Sequence, residues 1–82
     1  MLDLNMTQSE FLAHFAACFQ RTEAEKIQWD TPFRELEEWG SMLALIVISM
    51  IDTEYNCLLT TDDFRQAQTP GDLFLLVQQH LS

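Results

Sequence analysis

An all-α fold is predicted by three features of the 82-residue sequence. Apolar residues make up 48% of the chain, too many for a disordered polymer despite a net charge of −9. Only two Gly and two Pro are present, which leaves few of the turns that a sandwich or barrel demands. Apolar residues also recur at helical spacing behind capping signals. One domain covering residues 1–82 is expected. Its core should be modest, because a chain this short buries only about 60% of its unfolded surface.

The first helix is predicted from about Thr7 to Arg21. Thr7-Gln8-Ser9-Glu10 reads as a capping box, and Phe11, Leu12, Phe15, Cys18 and Phe19 follow on one face. Glu23–Glu38 has no sustained period and contains Pro32, so a long first loop is expected there. Loops beyond about 12–15 residues are uncommon in compact domains and often functional. Ile27, Trp29, Phe33, Leu36 and Trp39 are the residues expected to pin this loop to the helices.

Ser41 is expected to cap a second helix running to about Tyr55, where Asn56 supplies a left-handed stop. A short third helix falls within Thr60–Gln66, with Thr60 or Thr61 as cap and Asp62 and Asp63 in its first turn. Thr69-Pro70-Gly71-Asp72 then gives a cap, a Pro at the first helical position and an acid at the third. Leu73, Phe74, Leu76, Val77 and Leu81 form the apolar face of the last helix. The expected architecture is a four-helix bundle with three longer helices, one short third helix and the long first loop. No internal repeat or low-complexity tract interrupts it.

Charge narrows the function. Thirteen Asp and Glu against four Lys and Arg give no electrostatic reason to bind nucleic acid or an anionic membrane. Basic patches on other proteins are the expected counterpart. After Arg34 the only basic residue is Arg65. The run from Met42 to Ile51 is too short to span a bilayer. Met1–Thr7 holds Asp3 and no basic start, so no signal peptide is read and the cytoplasm is the expected location.

Conventional catalytic signatures are absent from the sequence. Cys18 and Cys57 match no zinc or redox spacing and read as buried thiols. His14 and His80 fall in different helices without neighbouring motifs, so each reads as a surface or partly packed side chain. Asp62 and Asp63 lack the alternating ligands and Gly of a calcium loop, and no metal is expected. Glu35, Glu37 and Glu38 read as a solvated loop face. An enzyme is therefore not expected.

Ser41 is set apart by its surroundings. Taken alone it reads as a helix cap. Its neighbours run Phe33-x-x-Leu36, Trp39-Gly40-Ser41-Met42, an apolar helix ending Asp52-Thr53-Glu54-Tyr55, then Thr69-Pro70-Gly71-Asp72-Leu73. In order and spacing this resembles an acyl carrier protein, over most of the chain from Phe11 to Val77. The resemblance implies that a phosphopantetheinyl transferase moves 4′-phosphopantetheine from coenzyme A onto Ser41. The serine oxygen attacks the pyrophosphate with help from a metal held by the transferase. The arm then carries acyl groups as thioesters to acyl-loading, condensing or other biosynthetic enzymes bearing basic patches.

Two departures from the family pattern stand out. The family usually has Asp immediately before the serine, and Gly40 stands there. Typical carriers also place an acid where Ile46 stands. Independently of the family, Ser49, Asp52 and Thr53 mark the solvent face of the second helix. Counting back from Ser49 puts Ile46, Leu45 and Met42 on that face. Ala44, Val47, Ile48, Ile51 and Tyr55 form the opposite, inward stripe. The apolar patch beside Ser41 is read either as a local docking surface or as a swapped or oligomeric contact. A monomer is the expected state. The expected docking set is Met42, Leu45, Ile46, Ser49, Asp52, Glu37 and Glu38. A discrete acyl carrier is thus the main expectation, with an aminoacyl or peptidyl carrier, or an unprimed acidic adaptor, as alternatives. The pathway, whether fatty acid, polyketide or peptide, is left open.

Overall fold

A computed structural model describes residues 7–81. The start of the chain, read above as lacking a signal peptide, lies outside them for residues 1–6. The described residues form α1 (Gln8–Ala17), α2 (Ser41–Tyr55), α3 (Thr61–Arg65) and α4 (Pro70–Leu81), with no strand among them. Three longer helices and a short third one are therefore present, as the periodicity predicts. No helix among the described residues is long and apolar enough to cross a membrane.

Thr7 caps α1 by accepting the Glu10 N–H at 3.2 Å. The helix ends at Ala17 rather than at Arg21. Its last turn tightens as the Cys18 N–H bonds the Phe15 carbonyl and the Phe19 N–H bonds that of Ala16. The next three N–H groups, of Gln20, Arg21 and Thr22, go to the Glu38 carboxylate instead of to helical carbonyls. Phe19 stays buried beyond the helix end.

The first loop runs through the core. It contains two 3₁₀ turns, Ala24–Lys26 and Phe33–Glu35. Ile27 and Phe33 are buried, while Trp29, Leu36 and Trp39 pack partly exposed against the same cluster. The Phe33 ring lies 5.2 Å from Phe15, 4.7 Å from Trp39 and 6.0 Å from Phe64. These offset and tilted pairs add to the area each ring buries. Backbone bonds fix the other flank: the Phe33 N–H to the Gln68 carbonyl and the Gly71 N–H to that of Trp29, both at 3.0 Å. A Cβ on Gly71 would sit 2.9 Å from Trp29 Nε1, so the close crossing of loop and α4 requires glycine.

In α2 the fully inward line is Leu43, Val47 and Ile51. Val47 and Ile51 are as expected, but Leu43 takes the place assigned to Ala44. Ala44, Ile48 and Tyr55 flank the core as half-buried shoulders. Asn56 ends the helix at φ 53°, ψ 44°, its N–H bonding the Asp52 carbonyl at 2.9 Å. Thr60 and Asp63 close a reciprocal capping box on α3. Thr69 Oγ1 accepts the Asp72 N–H at 3.1 Å, and Asp72 Oδ2 accepts the N–H of Gln68 and of Thr69. Cys57 is buried as expected, whereas Cys18 is only half-buried, because it stands at the frayed end of α1.

Candidate functional site

Ser41 is not the N-cap of α2. Gly40 takes that position in extended backbone, at φ −171° and ψ −179°, and its carbonyl accepts the Ala44 N–H at 3.0 Å. No side chain caps the helix and no acid lies in its first turn. Ser41 is the first helical residue, exposed, with a hydroxyl that the helix does not use for capping. The preceding glycine leaves room, since a Cβ at Gly40 would meet no atom within 4 Å. The uncapped N–H groups of a 15-residue helix favour negative charge at this end.

Two surfaces meet at Ser41. Along α2, Met42 is 75% exposed, Leu45 61% and Ile46 41%, which places the apolar patch at the surface within this chain. Ser49 and Asp52 continue the same exposed face toward the acidic end of the helix. On the other side a groove of about 290 Å³ runs between α2 and α3. Ser41 lies on its wall with Leu45, Ile48 and Phe64, and the cations Arg34 and Arg65 border it.

The acidic loop face divides in two. Glu35 and Glu37 are exposed, in keeping with a solvated face. Glu38 is not part of that face. Its Oε2 accepts the Gln20 N–H at 2.7 Å, and its Oε1 accepts the N–H of Arg21 and of Thr22 at 2.9 Å and the Thr22 hydroxyl at 3.0 Å. These donors, led by the Gln20 N–H, hold its carboxyl below the ordinary glutamate value. Its charge therefore serves the α1 turn before it serves a docking partner. Sequence reading misses this role because the contacts span 16 to 18 residues.

Arg34 is equally invisible to local reading. Its Nε donates to the Ala67 carbonyl at 2.9 Å and its Nη2 to that of Phe64 at 2.7 Å. The guanidinium carbon sits 5.5 Å from the ring centroids of both Phe33 and Phe64. The end of α3 is thereby satisfied by a side chain from the first loop. Arg65 is held only by Asp62, at 3.5 Å and in full solvent.

Among the described residues, the remaining titratable groups converge on no reactive centre. His14 Nε2 lies 3.8 Å from Glu54, and His80 Nε2 lies 3.3 Å from Asp63. Burial pushes the Cys18 thiol up to about 11 and raises Cys57 as well, which keeps both protonated at neutral pH. Among the described residues no three His, Cys, Asp or Glu side chains gather as a metal site. The chain matches no protein-family model, no curated protein and no solved structure.

Proposed function

We propose that this chain is an acyl carrier domain that carries 4′-phosphopantetheine on Ser41. The observation that supports the reading most is the state of that serine: exposed, free of a capping role, and set at the uncapped N-terminus of the longest helix. The site suits the group, since Gly40 offers no obstruction and the helix end attracts phosphate. In the attachment step Ser41 Oγ forms a bond to the pantetheine-side phosphorus of coenzyme A. The pyrophosphate bridge breaks, the nucleotide half leaves with the bridging oxygen, and the hydroxyl proton passes to the transferase. When bound, the arm supplies a terminal thiol that holds cargo as a thioester. This chain supplies the anchor, the acidic α2 surface and the exposed Met42, Leu45 and Ile46 for recognition by enzymes with basic patches. It performs no catalysis of its own in this reading.

An unprimed acidic adaptor is the second reading, favoured by the apolar α2 patch and by Gly40 where the family has an acid. Intact-mass measurement after incubation with coenzyme A and a broad phosphopantetheinyl transferase decides between them. Wild-type protein is expected to gain the mass of one arm, and Ser41→Ala none. No gain on wild type supports the adaptor, and a gain on Ser41→Ala moves the site. An aminoacyl or peptidyl carrier would give the same gain and differ only in the cargo it accepts.

A further inference from the structure

α2 has little of its own to fix its first turn. Gly40 at the N-cap offers no side chain, and no acid lies in the turn. Ser41 and Met42 are exposed, so packing begins only at Leu43. The first helical bond, from the Ala44 N–H to the Gly40 carbonyl, therefore depends on how firmly the chain entering the helix is held. That chain is held at Glu38, just before Trp39 and Gly40. Resting on the carrier reading, we propose that Glu38 is a positioning residue for the attachment reaction. Its carboxylate ties the lead-in of α2 to the turn after α1 and so fixes where Ser41 stands for the transferase.

The geometry of the clasp suits that task. Successive N–H groups of Gln20, Arg21 and Thr22 converge on one carboxylate at 2.7 to 2.9 Å, and the Thr22 hydroxyl adds a further bond at 3.0 Å. Adjacent N–H groups of this kind make a concave anion seat, and bonds to a charged acceptor are the strong ones. The contacts reach 16 to 18 residues back along the chain, so they anchor the lead-in to another element. Trp39 makes the second anchor. Its N–H bonds the Leu36 carbonyl at 3.0 Å, and its ring lies 4.7 Å from Phe33 and stacks on Phe64 at 5.9 Å. Gly40 is then the joint between this anchored pair and the serine, in extended backbone with open space around it. A glycine joint transmits position only when the residues before it are fixed. Releasing Glu38 leaves Trp39 to pivot about its ring, and the displacement reaches Ser41 through that joint. Attack on phosphorus is sensitive to such a shift, since a misplacement of about 1 Å can cost about a hundredfold in rate.

The test reads the first turn of α2 separately from the reaction. Amide exchange at neutral pH, followed by NMR, compares Ala44 with Val47 and Ile51 in wild type, Glu38→Gln and Thr22→Val. Thr22→Val removes only the hydroxyl donor and leaves every charge in place. Exchange at Ala44 is expected to quicken about tenfold in Glu38→Gln and about threefold in Thr22→Val, the worth of a charged and of a weaker hydrogen bond. A purely stabilising role would instead quicken the core amides of Val47 and Ile51 and leave Ala44 as it was. Priming by a broad phosphopantetheinyl transferase with saturating coenzyme A then gives kcat and KM for the chain, with intact mass as the readout. Both variants should lose kcat several-fold and keep KM, because the exposed face of α2 is unaltered. Either a kcat that holds in both variants or an Ala44 exchange that does not change overturns the proposal and leaves the carrier reading standing. A raised KM with kcat held would make Glu38 a contact for the transferase instead. A wild type that takes no arm overturns the carrier reading, and the positioning role falls with it. If Glu38→Gln loses its fold by circular dichroism, Thr22→Val decides alone.

Discussion

Glu38 spends its charge inside the chain. Because its donors lower its carboxyl value in the folded state, the contribution to stability is complete above the unfolded glutamate value of about 4.3. It is lost as pH falls from there through the lowered folded value. Asp63, lowered by the Thr60 hydroxyl and N–H, acts in the same direction. Thermal unfolding of wild type should therefore drop steeply below about pH 4. Glu38→Gln should unfold earlier at pH 7 and show a shallower acid limb; parallel limbs for the two proteins would remove Glu38 from this role. Gly40 makes the opposite kind of prediction. Its extended backbone accepts any residue and its surroundings are open. Gly40→Asp should thus fold, add the missing cap to α2 and stabilise by a few tenths of a kcal/mol. It should also be primed faster than wild type by the same transferase, measured as mass gained against time. An unchanged rate would show that the transferase does not use an acid at this position.

Among the elements, α2 carries most of the functional argument, and its two faces give opposite expectations. Leu45→Glu and Ile46→Glu alter side chains that are 61% and 41% exposed. Both variants should keep the fold, within about 0.5 kcal/mol of wild type, while losing partner binding. Val47→Glu and Ile51→Glu place a charge where exposure is 0%. That costs several kcal/mol, a large share of the roughly 5–15 kcal/mol that holds a small domain together. Thermal unfolding and a binding assay on the four variants check this, and four unfolded proteins would assign the patch to the core or to an oligomer contact. Ile46→Glu is the cleaner member of the first pair, because Leu45 also lines the α2–α3 groove. Both faces were legible because a helix repeats locally: Ser49 and Asp52 locate solvent, and the period does the rest. The caps at Thr7, Thr60 and Thr69 were legible for the same reason, each bond spanning three residues. Leu43 was not, since a helix apolar over nearly its whole length leaves the boundary of its buried stripe to its neighbours. Nor were the Glu38 and Arg34 contacts, which depend on how the first loop crosses α1 and α3. The groove beside Ser41 inherits that blindness, as Arg34 and Arg65 meet there across the fold.

At the scale of the whole molecule, charge and exposure are distributed in a way that favours fast, reversible encounters. Glu37, Asp52 and Glu54 are exposed around and along α2, while the two arginines after the first 3₁₀ turn are each committed, Arg34 to carbonyls and Arg65 to Asp62. In the carrier reading, an enzyme approaching along α2 would meet these exposed carboxylates, while the two arginines border the groove beside Ser41. Long-range attraction of this kind raises the association rate more than it lowers the dissociation rate. In the carrier reading, the exposed apolar Met42, Leu45 and Ile46 would act only at contact and set how long a complex lasts. The two contributions separate by salt. Exposed charges are screened beyond about 10 Å at 0.1 M ionic strength, whereas apolar contact is not. Raising salt from about 0.02 M to about 0.2 M should then slow association with a basic partner enzyme several-fold while dissociation changes little. Asp52→Asn should take part of the salt dependence with it, and Ile46→Ser should instead speed dissociation at every salt concentration. Stopped-flow binding measures both rates, and an association rate flat across that range would mean that the net charge of −9 does not steer the encounter.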